Sequence, residues 1–169
     1  MKEILLVNPE NIPHEIARTW RTREAARAVV YDSEGKIALL HVASEGYYKL
    51  PGGGIESGKD RLSALQRECK EEIGCEVDVL GEVGTVIEYI EFCSLKQTSY
   101  CYLAKVKGLK SRPEFTEDEA TAGFEQVWLT LEDAVSKVSG SKATTIEGEK
   151  YIKPRDTALL EAAQKVMNN

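Results

Sequence analysis

The sequence contains no long apolar run, and this absence limits what the protein can be. No stretch of its 169 residues approaches the roughly 18–20 apolar residues that a membrane-spanning helix needs. The first seven residues are too short an apolar stretch for a signal peptide, and Asn8, Pro9 and Glu10 follow them directly. We therefore expect a cytoplasmic protein with no membrane partner.

Positive charge is also scarce. The chain has 22 Lys and Arg residues against 28 Asp and Glu residues, so its formal net charge is −6. This balance argues against binding to the backbone of nucleic acids, which favours a basic protein face. It also means that an acidic site needs a divalent cation between itself and an anionic substrate.

The sequence also lacks the cysteine and histidine pattern of a zinc site. Its four cysteines form no C-x-x-C pair, and only His14 and His41 are available to join them. We expect reduced, partly buried thiols rather than metal ligands.

The chain does contain short strand-like runs and a few amphipathic helices. The predicted strands are 25–31, 36–42, 47–50, 76–86, 100–106 and 127–129. The predicted helices are 60–73, 130–138 and 156–167, and the segments 107–123 and 139–148 are expected to be loops. With no repeat and no domain boundary, this order favours a single α+β domain over 1–169, an α/β/α sandwich with a mixed sheet.

The residues that suggest chemistry lie in the segment 50–75. Three glycines follow Pro51, and glycine lets a backbone approach a ligand or a metal closely. On the predicted helix, Glu68, Glu71 and Glu72 occupy positions i, i+3 and i+4, so their carboxylates are neighbours. Taken alone, this cluster also fits a solvated helix face. Together with the glycines, it favours a site for Mg²⁺, which prefers oxygen ligands.

This segment resembles the Nudix box, the signature of the MutT-like Nudix hydrolases. The box reads G-x5-E-x7-R-E-U-x-E-E-x-G-U, where U is a bulky apolar residue. Here Gly53 is followed after five residues by Lys59, and seven residues later by the run R-E-C-K-E-E-I-G-C at 67–75. The box region is 53–75, and by element order the resemblance extends over roughly 25–138. The segments 1–20 and 139–169 are expected to be extensions.

The resemblance implies a loop–helix–loop motif on an α/β/α sandwich, and a dependence on Mg²⁺ or Mn²⁺. It implies that Glu68 and Glu72 are metal ligands. Glu71 would be a third ligand or the base that takes a proton from the attacking water, and Arg67 would orient Glu68.

Further metal ligands also follow from the resemblance. A backbone carbonyl of Gly52 or Gly53 would complete the coordination. The family often adds an acidic residue from a later loop. The candidates are Glu117, Glu119 and Glu125, of which we take Glu125 first.

Lys59 is the main departure from the box, because the family has a glutamate there. That glutamate is thought to support the box arginine, whereas a lysine near Arg67 would repel it. Asp60 or Glu56 is expected to supply the missing partner. The cysteines at both U positions are mild departures, since free cysteine packs as a small hydrophobe. We expect weakened or altered catalysis rather than none.

Tyr48, Arg27 and Arg23 are the candidate substrate-binding residues. Tyr47 and Tyr48 alternate on a short strand, so one packs inward while the other is free to stack on a base. Arg23 and Arg27 are placed to reach phosphates from the first strand of the domain. Ordinary packing of the tyrosines and simple exposure of the arginines remain the alternatives.

We therefore predict a Mg²⁺-dependent hydrolase of the pyrophosphate linkage in a nucleoside diphosphate joined to another group. Sequence marks associated with enzymes for ADP-ribose, dinucleoside polyphosphates and coenzyme A are missing. The small-molecule substrate is thus by default a nucleoside triphosphate, oxidised forms included. The alternative is a Nudix-fold module that binds a nucleotide for regulation without cutting it. Assembly into a homodimer is left open.

Overall fold

The computed structural model describes residues 1–168 and contains one mixed sheet of eight strands. The strands are β1 (Glu3–Val7), β2 (Arg21–Tyr31), β3 (Ile37–Val42), β4 (Tyr47–Lys49), β5 (Gly52–Gly54), β6 (Glu76–Ile90), β7 (Leu95–Lys107) and β8 (Phe124–Leu129). The helices are α1 (His14–Ala17), α2 (Arg61–Ile73), α3 (Glu117–Thr121), α4 (Leu131–Ser139) and α5 (Lys153–Met167). A 3₁₀ turn (Glu91–Cys93) joins β6 to β7, and a π turn (Gly148–Ile152) leads into α5.

The sheet combines parallel and antiparallel pairs. Its main order is β1-β6-β7-β2-β3-β4, with β5 paired to β2 and β8 paired to β3. Strands β2 and β7 run parallel, as do β1 and β6, while the remaining pairs are antiparallel. The pairing of β5 with β2 places Gly52 opposite Arg27, which brings the glycine segment to the middle of the sheet.

Helices cover both faces of the sheet. On one face, α2 packs Leu65, Cys69 and Ile73 against the small residues of β2 and β3. On the other face, α5 packs Leu159 and Leu160 into the larger apolar cluster together with residues of α4. Side chains alternate along a strand, so each inner strand contributes to both clusters. The predicted α/β/α sandwich with a mixed sheet is confirmed.

The two central strands are longer than the sequence predicted. Strand β6 continues to Ile90 rather than ending at 86, and β7 begins at Leu95 rather than at 100. These additional stretches contain Glu88, Gln97 and Ser99, all of which are buried. Polar residues in a buried strand hide the apolar pattern on which a strand prediction depends. The predicted loop 107–123 also contains the short helix α3.

Both ends of the chain fold onto the same sheet. Strand β1 lies parallel to β6, and α5 begins at Lys153, three residues before the predicted start at 156. No helix within residues 1–168 has the length and apolarity to cross a membrane.

Capping residues define the two ends of α2. The side chain of Asp60 accepts a hydrogen bond from the N–H of Ser63 at 2.9 Å, which satisfies a free donor of the first turn. Gly74 ends the helix in the left-handed conformation, with φ 61°. The carbonyl of Gly74 then accepts hydrogen bonds from the N–H and the hydroxyl of Ser111, both at 2.8 Å. These contacts fix the helix that carries the three glutamates.

We predict that Gly74→Ala destabilises the protein more than Gly35→Ala. Both glycines have positive φ, so alanine costs about 1–2 kcal/mol at either position. A Cβ at Gly74 would also collide with the backbone carbonyl of Ser111, whereas one at Gly35 meets nothing within 4 Å. Overpacking should add about 1–3 kcal/mol at Gly74. Urea unfolding measures both free energies, and equal losses would contradict the role given to Ser111.

Candidate active site

One turn of α2 places its three glutamates in different surroundings. The side chain of Glu72 is 2% exposed, that of Glu68 12% and that of Glu71 39%. Glu68 and Glu72 both line a cavity beside the glycine strand β5, and Glu71 does not. The helix therefore presents two carboxylates to the cavity and keeps the third at its border.

Glu72 connects the helix to the glycine strand. One of its oxygens, Oε2, accepts a hydrogen bond from the N–H of Gly52 at 2.6 Å. The other, Oε1, accepts a hydrogen bond from Lys49 Nζ at 2.8 Å. A buried carboxylate needs such partners, since an unpaired charge is very costly away from water. Glu72 is therefore both fixed in position and charge-compensated.

Glu68 lies directly against the backbone of Gly53. A Cβ on Gly53 would overlap the carboxylate of Glu68, so only glycine allows this approach. Burial raises the pKa of Glu68, and the neighbouring charge of Glu72 raises it further. Arg67 opposes this effect through an ion pair with Glu68 Oε1 at 2.7 Å. The pKa of Glu68 stays above its ordinary value, so these surroundings stabilise the charged carboxylate less well than water does.

Arg67 bridges the glutamates from the outer side of the helix. In addition to Glu68, it contacts Glu71 Oε2 at 2.9 Å, and its Nη2 donates to the carbonyl of Gly54 at 3.4 Å. Asp60 is not its partner, because that side chain caps the helix at Ser63. The partners that hold Arg67 are the box glutamates themselves.

Lys59 lies in the exposed loop before α2, beside a second, smaller cavity. It lines this cavity together with Glu56 and Arg67, and makes no ion pair with another residue of 1–168. The negative charge of Glu56 contributes to raising the pKa of Arg67, after its own box partners Glu68 and Glu71. Glu56 thus acts on Arg67 through its charge rather than through a direct contact.

The main cavity combines acidic and basic walls and has a volume of about 350 Å³. Its lining contains four cations, at positions Arg23, Arg27, Lys49 and Arg155. It also contains five carboxylates, at positions Glu45, Glu68, Glu72, Glu119 and Glu147. The remaining lining residues are Tyr47, Gly52, Gly53, Gly54, Gln97 and Ile152. Such a lining suits a ligand that has an anionic part and a less polar part.

Arg27 is buried in this lining without a direct carboxylate partner. Its Nε donates to the hydroxyl of Ser99 at 3.2 Å, and its Nη1 donates to the carbonyl of Gly52 at 3.3 Å. Burial lowers the pKa of Arg27, and the charge of Arg155 lowers it further. Its Nη2 makes no hydrogen bond with the rest of the described chain. A buried cation with neutral partners is a ready anion-binding group.

The structure distributes the other candidate residues in two ways. Arg23 lines the main cavity, as Arg27 does. Tyr48 does not line it. Its ring stacks on His41 at a centroid distance of 4.5 Å and packs against the apolar cluster on the α5 face of the sheet. The neighbouring Tyr47 faces the cavity instead.

The candidate acids from the later segment are also separated. Glu125 lies on β8, is 67% exposed and faces His41 Nδ1 at 3.4 Å, so it does not reach the main cavity. Glu119 lines the cavity from α3, where a capping box with Thr116 holds its side chain. Glu117 is not part of the lining.

Sequence reasoning missed Lys49, Gln97 and Arg155. Lys49 was part of the motif Y-K-L-P-G, where its charge opposite an acidic helix was an available signal. Gln97 and Arg155 gave no local signal. Arg155 is in the first turn of an amphipathic helix, a position where arginine is usually solvated.

The donor groups fit a hard divalent cation. Glu68 and Glu72 offer carboxylate oxygens beside a backbone that only glycine permits, and such oxygens are what Mg²⁺ prefers. A cation at this place would lower the pKa of Glu68, which burial and the charge of Glu72 raise. Within residues 1–168 no three His, Cys, Asp or Glu side chains already form a metal-holding group. On α2, the carboxylates that face the main cavity are those of Glu68 and Glu72.

Solved structures of other proteins share this fold. No curated protein sequence matches the chain significantly. In fold, the chain is similar to a Nudix hydrolase from Nitrosomonas europaea, with a TM-score of 0.66 and 15% identity over 86% of this chain and 90% of that one. It is also similar to a MutT protein from Methanosarcina mazei Go1, with a TM-score of 0.62 and 16% identity over 89% and 98%.

A third similar structure is an ADP-ribose pyrophosphatase from Streptococcus suis, with a TM-score of 0.54 and 20% identity over 84% of this chain and 92% of that one. At these identities the likeness establishes the fold. The family model of the NUDIX domain matches residues 21–148, which include the box and most of the cavity lining. The chain therefore belongs to the NUDIX domain family, and the resemblance predicted from its box is confirmed.

Proposed function

We propose that this protein hydrolyses the pyrophosphate linkage of a nucleoside diphosphate joined to another group, with the help of Mg²⁺ or Mn²⁺. The observation that carries this proposal is the position of Glu68 and Glu72, which face the same cavity as the buried guanidinium of Arg27. Carboxylates that hold a cation and an arginine that holds an anion are the two parts a pyrophosphate substrate requires.

Glu68 and Glu72 are the proposed metal ligands. Of the two backbone carbonyls, that of Gly52 already accepts a hydrogen bond from Arg27, so Gly53 is the more suitable third ligand. When bound, the metal supplies a Lewis acid for the phosphoryl oxygens and lowers the pKa of a coordinated water. Lys49 pairs with Glu72 and fixes its orientation.

Glu71 is the proposed base, or else a further ligand. It lies at the border of the site, where Arg67 connects it to Glu68. A carboxylate outside the tightest part of the metal site is free to take a proton from the attacking water. Arg67 thus acts as a positioning residue for both glutamates.

The substrate is proposed to lie along the cavity, with phosphates toward Arg27 and Arg23. Tyr47, rather than Tyr48, is placed to contact the group beyond the phosphates. Glu119, rather than Glu125, is the acid placed to complete the site. A nucleoside triphosphate, oxidised forms included, remains the first candidate. The name of the Streptococcus suis relative makes ADP-ribose the second candidate to test.

The alternative is a module that binds nucleotide without cutting it. Lys59 motivates this alternative, because it reverses the charge of the first box glutamate. The presence of Glu68, Glu71 and Glu72 favours the enzyme.

We predict turnover in a substrate panel with Mg²⁺ present. Nucleoside triphosphates should release pyrophosphate, detected as phosphate after inorganic pyrophosphatase. Diphosphate diesters such as ADP-ribose should release phosphomonoesters, detected after alkaline phosphatase. Glu71→Gln should lower kcat by roughly 10²–10⁴-fold because it removes the base. Nucleotides that protect the protein from unfolding without any turnover would support the binding module, and an undiminished Glu71→Gln would contradict the role of Glu71.

Lys59→Glu should increase activity. The new carboxylate would restore the charge that the family has beside Arg67, and a pair of this kind is worth about 0.5–1 kcal/mol, equivalent to roughly two- to fivefold in kcat/KM. Lys59→Gln, which removes repulsion without adding a carboxylate, is the matched control and should fall between the two. A decrease with Lys59→Glu would mean that Lys59 has its own function in this chain.

Glu68→Gln and Glu72→Gln should change stability in opposite directions without metal. The pKa of Glu68 is raised in the folded protein, so ionisation of Glu68 lowers the stability of the fold. This loss develops as pH rises through the raised pKa. Replacing it should therefore stabilise the protein at pH 7, and less so at pH 4. Glu72→Gln weakens the buried contact with Lys49 and should cost about 1–3 kcal/mol. Thermal unfolding in EDTA tests both, where 1 kcal/mol is roughly 2–4 °C.

A lower unfolding temperature for Glu68→Gln than for the wild type would contradict the cost assigned to burying Glu68 beside Glu72. With Mg²⁺ and a nucleotide added, the wild type should gain more stability than either variant, because both variants lose a metal ligand.

A further inference from the structure

A closed ring of hydrogen bonds starts and ends on residues 50–52, which lead into the glycine strand β5. It runs from the N–H of one residue, through side chains of α5, β6, β7 and β2, back to a carbonyl two residues further along the chain. The members of this polar ring are Leu50, Asp156, Arg155, Glu88, Ser99, Arg27 and Gly52.

The first half of the polar ring connects the C-terminal helix to the glycine segment. The N–H of Leu50 donates to Asp156 Oδ2 at 2.9 Å. Asp156 also accepts from Arg155, at 2.6 Å from Nε and 3.2 Å from Nη2. Nη1 of Arg155 reaches Glu88 Oε1 at 3.3 Å. Burial alone would raise the pKa of Asp156, but the adjacent Arg155 brings it below its usual value.

The second half returns through the centre of the sheet. The hydroxyl of Ser99 donates to Glu88 Oε2 at 3.2 Å and accepts from Arg27 Nε at the same distance. Arg27 Nη1 then donates to the carbonyl of Gly52. Gln97 also donates to Glu88 Oε2, at 2.7 Å. The acceptor atoms of Glu88 are thus all occupied.

The four charged members balance one another and are almost completely buried, with exposures of 6% or less. A buried ionic network of this kind rarely stabilises a fold more than well-packed apolar residues would. Stability alone therefore does not explain a buried ionic network beside residues 50–52. The ring touches the backbone on both sides of Pro51, and Gly52 in turn donates to Glu72.

We propose that Arg155 and Asp156 are positioning residues of the active site, which hold residues 50–52 at a fixed distance from the carboxylates of α2 through the polar ring. The inference rests on the proposed function for its catalytic consequence. It extends the working site to α5, which lies beyond the residues 21–148 matched by the family model. Arg155 also lines the main cavity.

The direct test is amide hydrogen exchange at Leu50 and Gly52 in metal-free protein. Ser99→Ala removes the link in the middle of the ring, several hydrogen bonds away from Leu50. We expect faster exchange at both amides, while amides in α4 stay unchanged. Thr157→Ala is the control, since its hydroxyl is on α5 next to Asp156 but is buried without a partner. Unchanged exchange in Ser99→Ala would overturn the proposal.

The catalytic test compares Ser99→Ala, Asp156→Asn and the double variant on the best substrate of the panel. Each single variant should lower kcat by roughly 10- to 100-fold, because a displacement of the segment by about 1 Å has an effect of this size. The double variant should be no worse than the more affected single one, since both cut the same ring. Multiplied losses would overturn the proposal.

The exchange measurement does not depend on activity. A protein without turnover would therefore refute the proposed function, while exchange at Leu50 and Gly52 would still test the polar ring. If Asp156→Asn does not fold, Ser99→Ala alone still decides through exchange at Leu50.

Discussion

The short contact between Glu72 and the N–H of Gly52 joins the two halves of the site. Gly52 has a φ of 135°, and a Cβ there would run into the backbone of β2 at Ala26, so only glycine brings this N–H to the carboxylate. Once Glu72 is fixed, Glu68 is one turn earlier on the same helix and must lie against Gly53. The packing of α2, its caps and the pairing of β5 with β2 all serve this one approach of helix and strand.

Features that depend on local chemistry could be predicted from the sequence. The steps of three and four among Leu62, Leu65, Cys69 and Ile73 predicted the buried face of α2, which was wrong only for Leu62, 45% exposed in the first turn. The end of α2 at Gly74 follows from the left-handed conformation that glycine accepts. The resemblance to the Nudix box, in turn, implied that Glu68 and Glu72 lie beside the backbone of Gly52 or Gly53. The end of a helix at a glycine is a property of one segment, whereas the meeting of α2 with β5 also needs β5 to pair with β2.

Features that depend on distant contacts could not be predicted. Glu88 and Ser99 are polar residues in strands, and their burial depends on distant partners, because Arg155 reaches Glu88 and Arg27 reaches Ser99. The choice between Tyr47 and Tyr48 likewise depends on His41, which stacks on one of the two rings and leaves the other to the cavity. Alternation along a strand determines that the two tyrosines differ, but not which one faces the site.

The net charge of −6 suggested that only a metal reconciles this acidic protein with an anionic ligand. The cavity shows that the charge is unevenly placed, because Arg23, Arg27 and Arg155 all contribute to its lining. The direct partners of Arg27 are a hydroxyl and a carbonyl, and the charges that balance it lie further along the polar ring, on Glu88 and Asp156. Nη2 of Arg27 makes no hydrogen bond within the described chain, so an anion in the cavity would find a free donor there. In the proposed function, phosphate would be held from two sides, by a cation at Glu68 and by hydrogen bonds from Arg27.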